Sequence, residues 1–171
     1  MRRFSFIAAL LLSFVFAVTN AEANIVTLER EHYGVFTFEK TFNTNNGVAV
    51  CQIMTSWGNH DIFGWAISSL DLITIFYESD TRTFNQNLEH RIDFNFSNGD
   101  RKNGFFTTSD GNFLILQEHI LNAPDALIGW INSLAEARSL AISINGVHDV
   151  NLSLRGTFRL TEKLLTCYER L

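Results

Sequence analysis

Between Asn122 and Leu171 the apolar positions change period twice, marking out a helix, a hairpin and a second helix. Over residues 124–138, Leu127, Trp130, Ile131, Leu134 and Ala137 recur at helical spacing and form one stripe. Pro124 suits a first helical position, where its missing N–H is not needed, and Asp125 favours the positive end of the helix dipole. The period drops to two in Leu140-Ala141-Ile142-Ser143-Ile144, breaks at Asn145-Gly146 and resumes over residues 150–154. Helical spacing returns with Leu160, Leu164, Cys167 or Tyr168, and Leu171, which turns Cys167 towards the interior.

Upstream the pattern is that of strands. Residues 24–28 and 33–38 combine β-branched and aromatic side chains. Asn43-Thr44-Asn45-Asn46-Gly47 is a turn, because Asn and Gly tolerate positive φ. Residues 48–54 follow as a strand with Ala49, Cys51 and Ile53 on one face. A loop at Trp57-Gly58-Asn59-His60-Asp61 leads into the apolar strand around residues 63–67, then a strand at 72–77 and a polar connection over 79–89. Arg91-Ile92-Asp93-Phe94-Asn95-Phe96 alternates strictly and buries Ile92, Phe94 and Phe96. Asn98-Gly99 carries a type I′ hairpin signal, and Asp110-Gly111 carries a second between residues 105–108 and 112–116. Read together, these segments predict an antiparallel meander. Where both faces of a strand look apolar, as in Val35-Phe36-Thr37-Phe38 and Phe105-Phe106, the second face awaits a covering helix or a ligand.

The first residues do not fit this alternation. Met1-Arg2-Arg3 is basic, residues 6–18 are apolar and uncharged, and Ala21-Glu22-Ala23 has the small-x-small form of a cleavage site. This predicts a signal peptide over 1–23 and one exported globular domain over 24–171, in the periplasm or secreted. No later stretch approaches the roughly 20 apolar residues of a membrane-spanning helix. With ten Gly and one Pro there is no Pro-rich or Gly/Ser-rich linker, so the domain reads as undivided. The formal net charge is −5, and losing Arg2, Arg3 and Glu22 makes it one unit more negative. An acidic chain without a Lys/Arg cluster is poorly suited to nucleic acid.

An exported chain with two cysteines is expected to join them, and both are predicted to face inward. A Cys51–Cys167 bond would close a loop of more than a hundred residues and, on the chain-entropy model, contribute up to about 4.7 kcal/mol. The alternative of a redox couple is disfavoured by the wide spacing, since catalytic pairs are close in sequence and exposed.

Candidate chemistry is sparse. Trp57, His60 and Asp61 form a candidate binding loop, and His60 beside Asp61 has the residue types of a base with a carboxylate. Adjacent residues rarely orient one another in that way, so a surface turn is the plainer reading. The five histidines, His32, His60, His90, His119 and His148, lack zinc-site spacing, even with Glu118 beside His119. There is no G-x-S-x-G elbow, phosphate-cradling glycine loop or C-x-x-C pair, and nothing calls for a cofactor or metal. Sixteen phenylalanines and three tryptophans are explained first by core packing on alternating strands, and second by an apolar ligand pocket.

The C-terminal third resembles the tail of the invasion-associated locus B family of small exported Gram-negative proteins. The matching residues are Leu134-Ala135-Glu136-Ala137-Arg138-Ser139-Leu140, Ile142-Ser143-Ile144 and Leu152-Ser153-Leu154-Arg155-Gly156-Thr157-Phe158. Further upstream, the family's early Trp and paired cysteines do not line up with Trp57 and Cys51. The resemblance implies a β-rich periplasmic or secreted domain without known catalytic residues, and a role in host-cell interaction.

The expected fold is therefore α+β to mainly β, an antiparallel sheet forming a sandwich or half-barrel, covered by the helix near 124–138 and by the C-terminal helix. The leading functional expectation is a non-enzymatic exported interaction protein of a Gram-negative envelope, of host-interaction or inhibitor/immunity type, with a protein partner. Two alternatives stand beside it: a carrier of an apolar small molecule or lipid, and a small hydrolase using His60 or His119.

Overall fold

The structure, a computed structural model, describes residues 24–57, 61–108, 110–120 and 124–171. The leader expected over 1–23 lies outside the described residues. Ten strands form two antiparallel sheets. Their order along the chain is β1 (Ile25–Tyr33), β2 (Phe36–Asn43), β3 (Ala49–Trp57), β4 (Asp61–Ser68), β5 (Leu72–Glu78), β6 (His90–Phe96), β7 (Arg101–Phe106) and β8 (Phe113–His119). Helix α1 (Pro124–Glu136), strands β9 (Ser139–Ile144) and β10 (Val147–Ser153), and helix α2 (Thr157–Tyr168) complete the chain. One sheet has six strands in the order β1-β2-β3-β4-β5-β8, the other four in the order β10-β9-β6-β7. The expected mainly-β fold and both helices are present, with the barrel left open.

The core lies between the sheets. From the six-stranded sheet come Phe36, Phe38, Cys51, Ile53, Phe63, Trp65, Ile67, Ile75 and Tyr77; from the other come Ile92, Phe94, Phe96, Leu140, Ile142, Ile144 and Leu152. Phe63 and Phe94 meet across the gap with ring centroids 5.5 Å apart. On α1 the expected stripe is the buried one, with Leu127, Ile131, Leu134 and Ala137 in the core and Trp130 packed against it. Helix α2 buries Leu160, Leu164 and Cys167. The four-stranded sheet turns most of its polar positions outward, with His90 and Lys102 as inward exceptions, and β6 alternates between buried and open along its whole length.

The six-stranded sheet is buried on both sides at its middle. Every residue from Ile62 to Ile67 in β4 is buried. A second apolar cluster, Val48, Val50, Ile62, Ala66, Phe76, Phe113 and Ile115, occupies the face away from the main core. The near-continuous apolar run of β4 and β5 is the sequence trace of this two-sided burial. At the stretches singled out for two apolar faces, the structure is simpler. Val35 and Phe105 are exposed, whereas Phe36, Phe38 and Phe106 are in the core.

Glycine is required at position 64. A Cβ there would lie 2.6 Å from the Ile53 carbonyl oxygen and 2.5 Å from Cζ of the fully buried Phe76. Neither can retreat freely, so Gly64→Ala is expected to cost about 1–3 kcal/mol, the scale of overpacking. A shift in the denaturant midpoint at unchanged m-value reads this out, and an unshifted midpoint would mean that Phe76 repacks.

Three local expectations are corrected. Residues 33–38 are not one strand: Tyr33 ends β1, Phe36 begins β2 and pairs back onto it, and Gly34 at φ +62° turns the chain between them. The charged run Glu29-Arg30-Glu31-His32 hid the length of β1, yet charge is what an exposed edge strand carries. Second, the Asn98-Gly99 turn is not type I′. Only Gly99 has positive φ, and its N–H donates to the Phe96 carbonyl, as in a tight turn followed by a bulge. Both residues at Asn145-Gly146 do have positive φ, 53° and 82°, so the two-residue I′ loop is there.

Third, β7 and β8 do not form a hairpin. β8 pairs with β5 in one sheet and β7 with β6 in the other, and the Thr107–Ile115 bridge joins the two at the switch. The Asp110-Gly111 signal marks this crossing. Asp110 Oδ1 accepts from the N–H groups of Asn112 and Phe113, and Gly111 takes φ +85°. Turn chemistry reports a bend in the chain and does not say which strand will pair after it.

Candidate binding surfaces

Cys51 and Cys167 are bonded, with Cα atoms 6.1 Å apart and a sequence separation of 116. This places α2 against β3, on the inner face predicted for Cys51. Two hydrogen bonds fix the ends of the helix. Thr157 Oγ1 donates within the α1–α2 junction, where the Leu134 and Leu154 carbonyls lie 2.5 and 2.7 Å away. The Tyr168 hydroxyl donates to Asp71 Oδ1 at 2.7 Å, joining α2 to the β4–β5 turn.

Beside the disulfide, the polar side of α2, the edge strand β1 and its neighbour β2 enclose a groove of about 420 Å³. Lys163 crosses it, bonded to Glu29 at 2.6 Å and to Glu31, with its ammonium 4.9 Å from the Phe38 ring centroid. Burial opposes its charge, but the hydrogen bonds to Glu29 and Glu31 outweigh that and hold its pKa above the ordinary lysine value. Hydrogen bonds from Lys163 and then Tyr33 hold Glu31 below the usual carboxylate range. Lys163 and Glu31 thus stay charged through the neutral range. Lys40, Arg159 and Arg170 line the same groove with Glu162, which makes it locally rich in cations on an acidic chain.

On the far face of the six-stranded sheet a polar row crosses the strands. Arg30 Nε donates to Glu39 Oε1 at 2.5 Å, and Gln52 Nε2 donates to Glu39 Oε2 at 3.0 Å. Glu39 and Gln52 are buried, so both carboxylate oxygens meet donors where water does not reach freely. A hollow of about 250 Å³ opens beside this row, reaching Ser56 and Ile62 at the base of the predicted binding loop.

Of that loop, Trp57 ends β3 and pairs with Asp61 at the start of β4. His60 and the side chain of Trp57 lie outside the described residues. Asp61 accepts from the Tyr77 hydroxyl at 3.2 Å. Burial pushes that phenol up to about 12, so Tyr77 stays a neutral donor. His119 pairs with Leu72 at the opposite end of the same sheet from Asp61. The length of β4 separates them, roughly 20 Å at 3.3 Å per residue. His119 and the Asp61 end therefore do not share one site. His90 is a buried structural residue, its Nε2 3.1 Å from the Asn85 carbonyl and its Nδ1 3.1 Å from Asn145 Nδ2.

Sequence reasoning missed Glu78. It ends β5 with Oε2 buried and unpartnered among the described residues. Burial, and then the charges of Asp80 and Asp110, raise its pKa. A carboxyl whose folded pKa is raised destabilises the fold once it ionises, so its cost is absent below the ordinary value and grows as pH rises through the folded one. Glu78→Gln is therefore expected to raise Tm at pH 7, with the gain vanishing near pH 4. A gain of equal size at both pH values would trace it to packing instead of charge.

The fold class is a two-sheet antiparallel sandwich with one helix wedged between the sheets and a second pinned by a disulfide. Among solved structures, the crystal structure of invasion associated protein B from Bartonella henselae is similar to this chain, with a TM-score of 0.54 and 10% sequence identity. The likeness covers 82% of this chain and 99% of that one, so the shared fold extends well beyond the C-terminal third that carries the sequence resemblance. No protein-family profile matches the chain, and no curated protein matches it.

Proposed function

We propose that this chain is an exported, non-enzymatic interaction domain of a Gram-negative envelope, in the periplasm or secreted, that docks a protein partner through the groove between α2 and strands β1–β2. The observation that carries this reading is the fold it has in common with an invasion associated protein along nearly the whole of that protein's length. The disulfide supports the compartment, since such bonds persist where the environment is oxidising. The groove supports the surface. Its walls are a rigid sheet edge and a helix held at both ends, and Lys40, Arg159 and Arg170 supply positive charge for an acidic partner segment.

The oxidised domain, used as bait in envelope extract and culture fluid, is expected to retain one stoichiometric protein. Arg159→Glu combined with Arg170→Glu is expected to reduce that capture at least tenfold while leaving Tm nearly unchanged, because Arg159 on α2 and Arg170 just beyond its end are both exposed. Equal capture by the variant would move the interface off the groove. Recovery of no protein at all would sink the interaction reading.

A further inference from the structure

The two sheets touch at the β7–β8 crossing and diverge next to it, where a cleft of about 310 Å³ opens between them. Its walls come from the inner face. Ile73 and Ile75 on β5, Leu116 on β8 and Trp130 on α1 line it. Leu116 and Trp130 are only partly buried although both pack on the main core, so apolar surface is left facing the cleft. Arg101 and Lys102 of the edge strand β7 line it with Glu118, and Asp100 lies close enough to feel the Lys102 charge.

Lys102 has an unusual position. It pairs with Phe94 in register and so shares the inward face of β6–β7, with its ammonium 5.7 Å from the Trp130 ring centroid. A charged residue turned inward on an edge strand protects against edge pairing, and here it also puts a cation directly above an apolar wall. The chemistry is therefore that of a hydrocarbon-lined slot with a cation standing over its apolar wall.

We propose that this cleft binds a single-chain anionic amphiphile, an acyl chain ending in a free carboxylate, with the chain against Ile73, Ile75, Leu116 and Trp130 and the carboxylate held by Lys102, while Arg101 adds positive charge at the rim. Its volume is near the lower limit of about 300–1,000 Å³ for small-molecule sites, which suits one chain and leaves no room for a two-chain lipid. Lys102 supplies a compact positive charge on the inward face, where the carboxylate would stand. The site shares no lining residue with the groove beside α2 and is independent of the protein-docking reading.

Dodecanoate titrated into the oxidised protein, followed by tryptophan fluorescence and by amide NMR shifts, tests this directly. Saturable one-to-one binding is expected, with shifts concentrated on β5, β7, β8 and α1. Arg101→Ala combined with Lys102→Ala should weaken dodecanoate about tenfold, the scale of one charge-assisted hydrogen bond, and change dodecanol binding less than twofold. Leu116→Glu, at a partly exposed position, should abolish dodecanoate binding while the thermal transition stays cooperative. Non-saturable binding, shifts centred on another face, or equal loss for acid and alcohol would each overturn the proposal. Stronger binding of dilauroyl phosphatidylglycerol vesicles than of dodecanoate would overturn the choice of a free single-chain acid.

Discussion

Cys51→Ala is expected to lower the unfolding free energy by about 2–5 kcal/mol, a large share of the stability of a domain this size. The bond spans 116 residues, so it restricts most of the unfolded chain. On the entropy model a loop of about 100 residues is worth about 4.7 kcal/mol, although native strain and residual structure reduce what is measured. Local packing adds to the loss. Cys51 is fully buried on β3 beside Phe38 and Ile53, and its partner on α2 is 7% exposed, so the variant leaves a thiol and a small void at the helix–sheet contact. Equilibrium denaturation of the variant against the oxidised protein gives the difference. If the two midpoints coincide, the bond does not constrain the chain as the fold implies. Free thiols in intact-mass measurements of the exported protein would remove the bond altogether.

Ile142→Asp is expected to abolish cooperative folding. Ile142 is 1% exposed at the centre of β9, paired with Phe94 on one side and Val150 on the other. Its neighbours in the core are apolar, so an aspartate there would have to protonate or remain ionised without a partner, either of which costs several kcal/mol. Deleting the isoleucine's packing costs a further amount on the scale of 2–5 kcal/mol. Together these match or exceed the whole stability expected of such a domain. Loss of the near-ultraviolet circular dichroism signal and of a sigmoidal thermal transition is the readout. A normal transition would show that the four-stranded sheet does not close over the core.

The strands and helices were legible because each is governed by local period. Ile92, Phe94 and Phe96 announced their face through strict alternation, and Leu127, Ile131 and Leu134 did so through helical spacing. Charge obscured β1, whose edge position permits Glu29, Arg30 and Glu31 to face solvent. The candidate site was less legible. The loop at Trp57 and Asp61 was recognised from its residue types, but Asp61 is engaged with Tyr77, from the neighbouring strand β5. Neither the Lys163–Glu29–Glu31 cluster nor the Arg30–Glu39–Gln52 row has a sequence motif, because their members come from separate strands and a helix brought together by register.

By itself the sequence determined the mainly-β class, the presence of both helices, the inward aim of both cysteines and the resemblance carried by the C-terminal third. These depend on side-chain period, turn chemistry and compartment, which act over a few residues or on the chain as a whole. Only the tertiary structure decided that β7 and β8 enter different sheets, what covers the two faces of the six-stranded sheet at its middle, and that Lys102 stands over Trp130 at an open cleft. Those outcomes depend on which strand edges pair and how two twisted sheets diverge, and pairing between distant segments is set by the packing of the whole core, which no local pattern encodes.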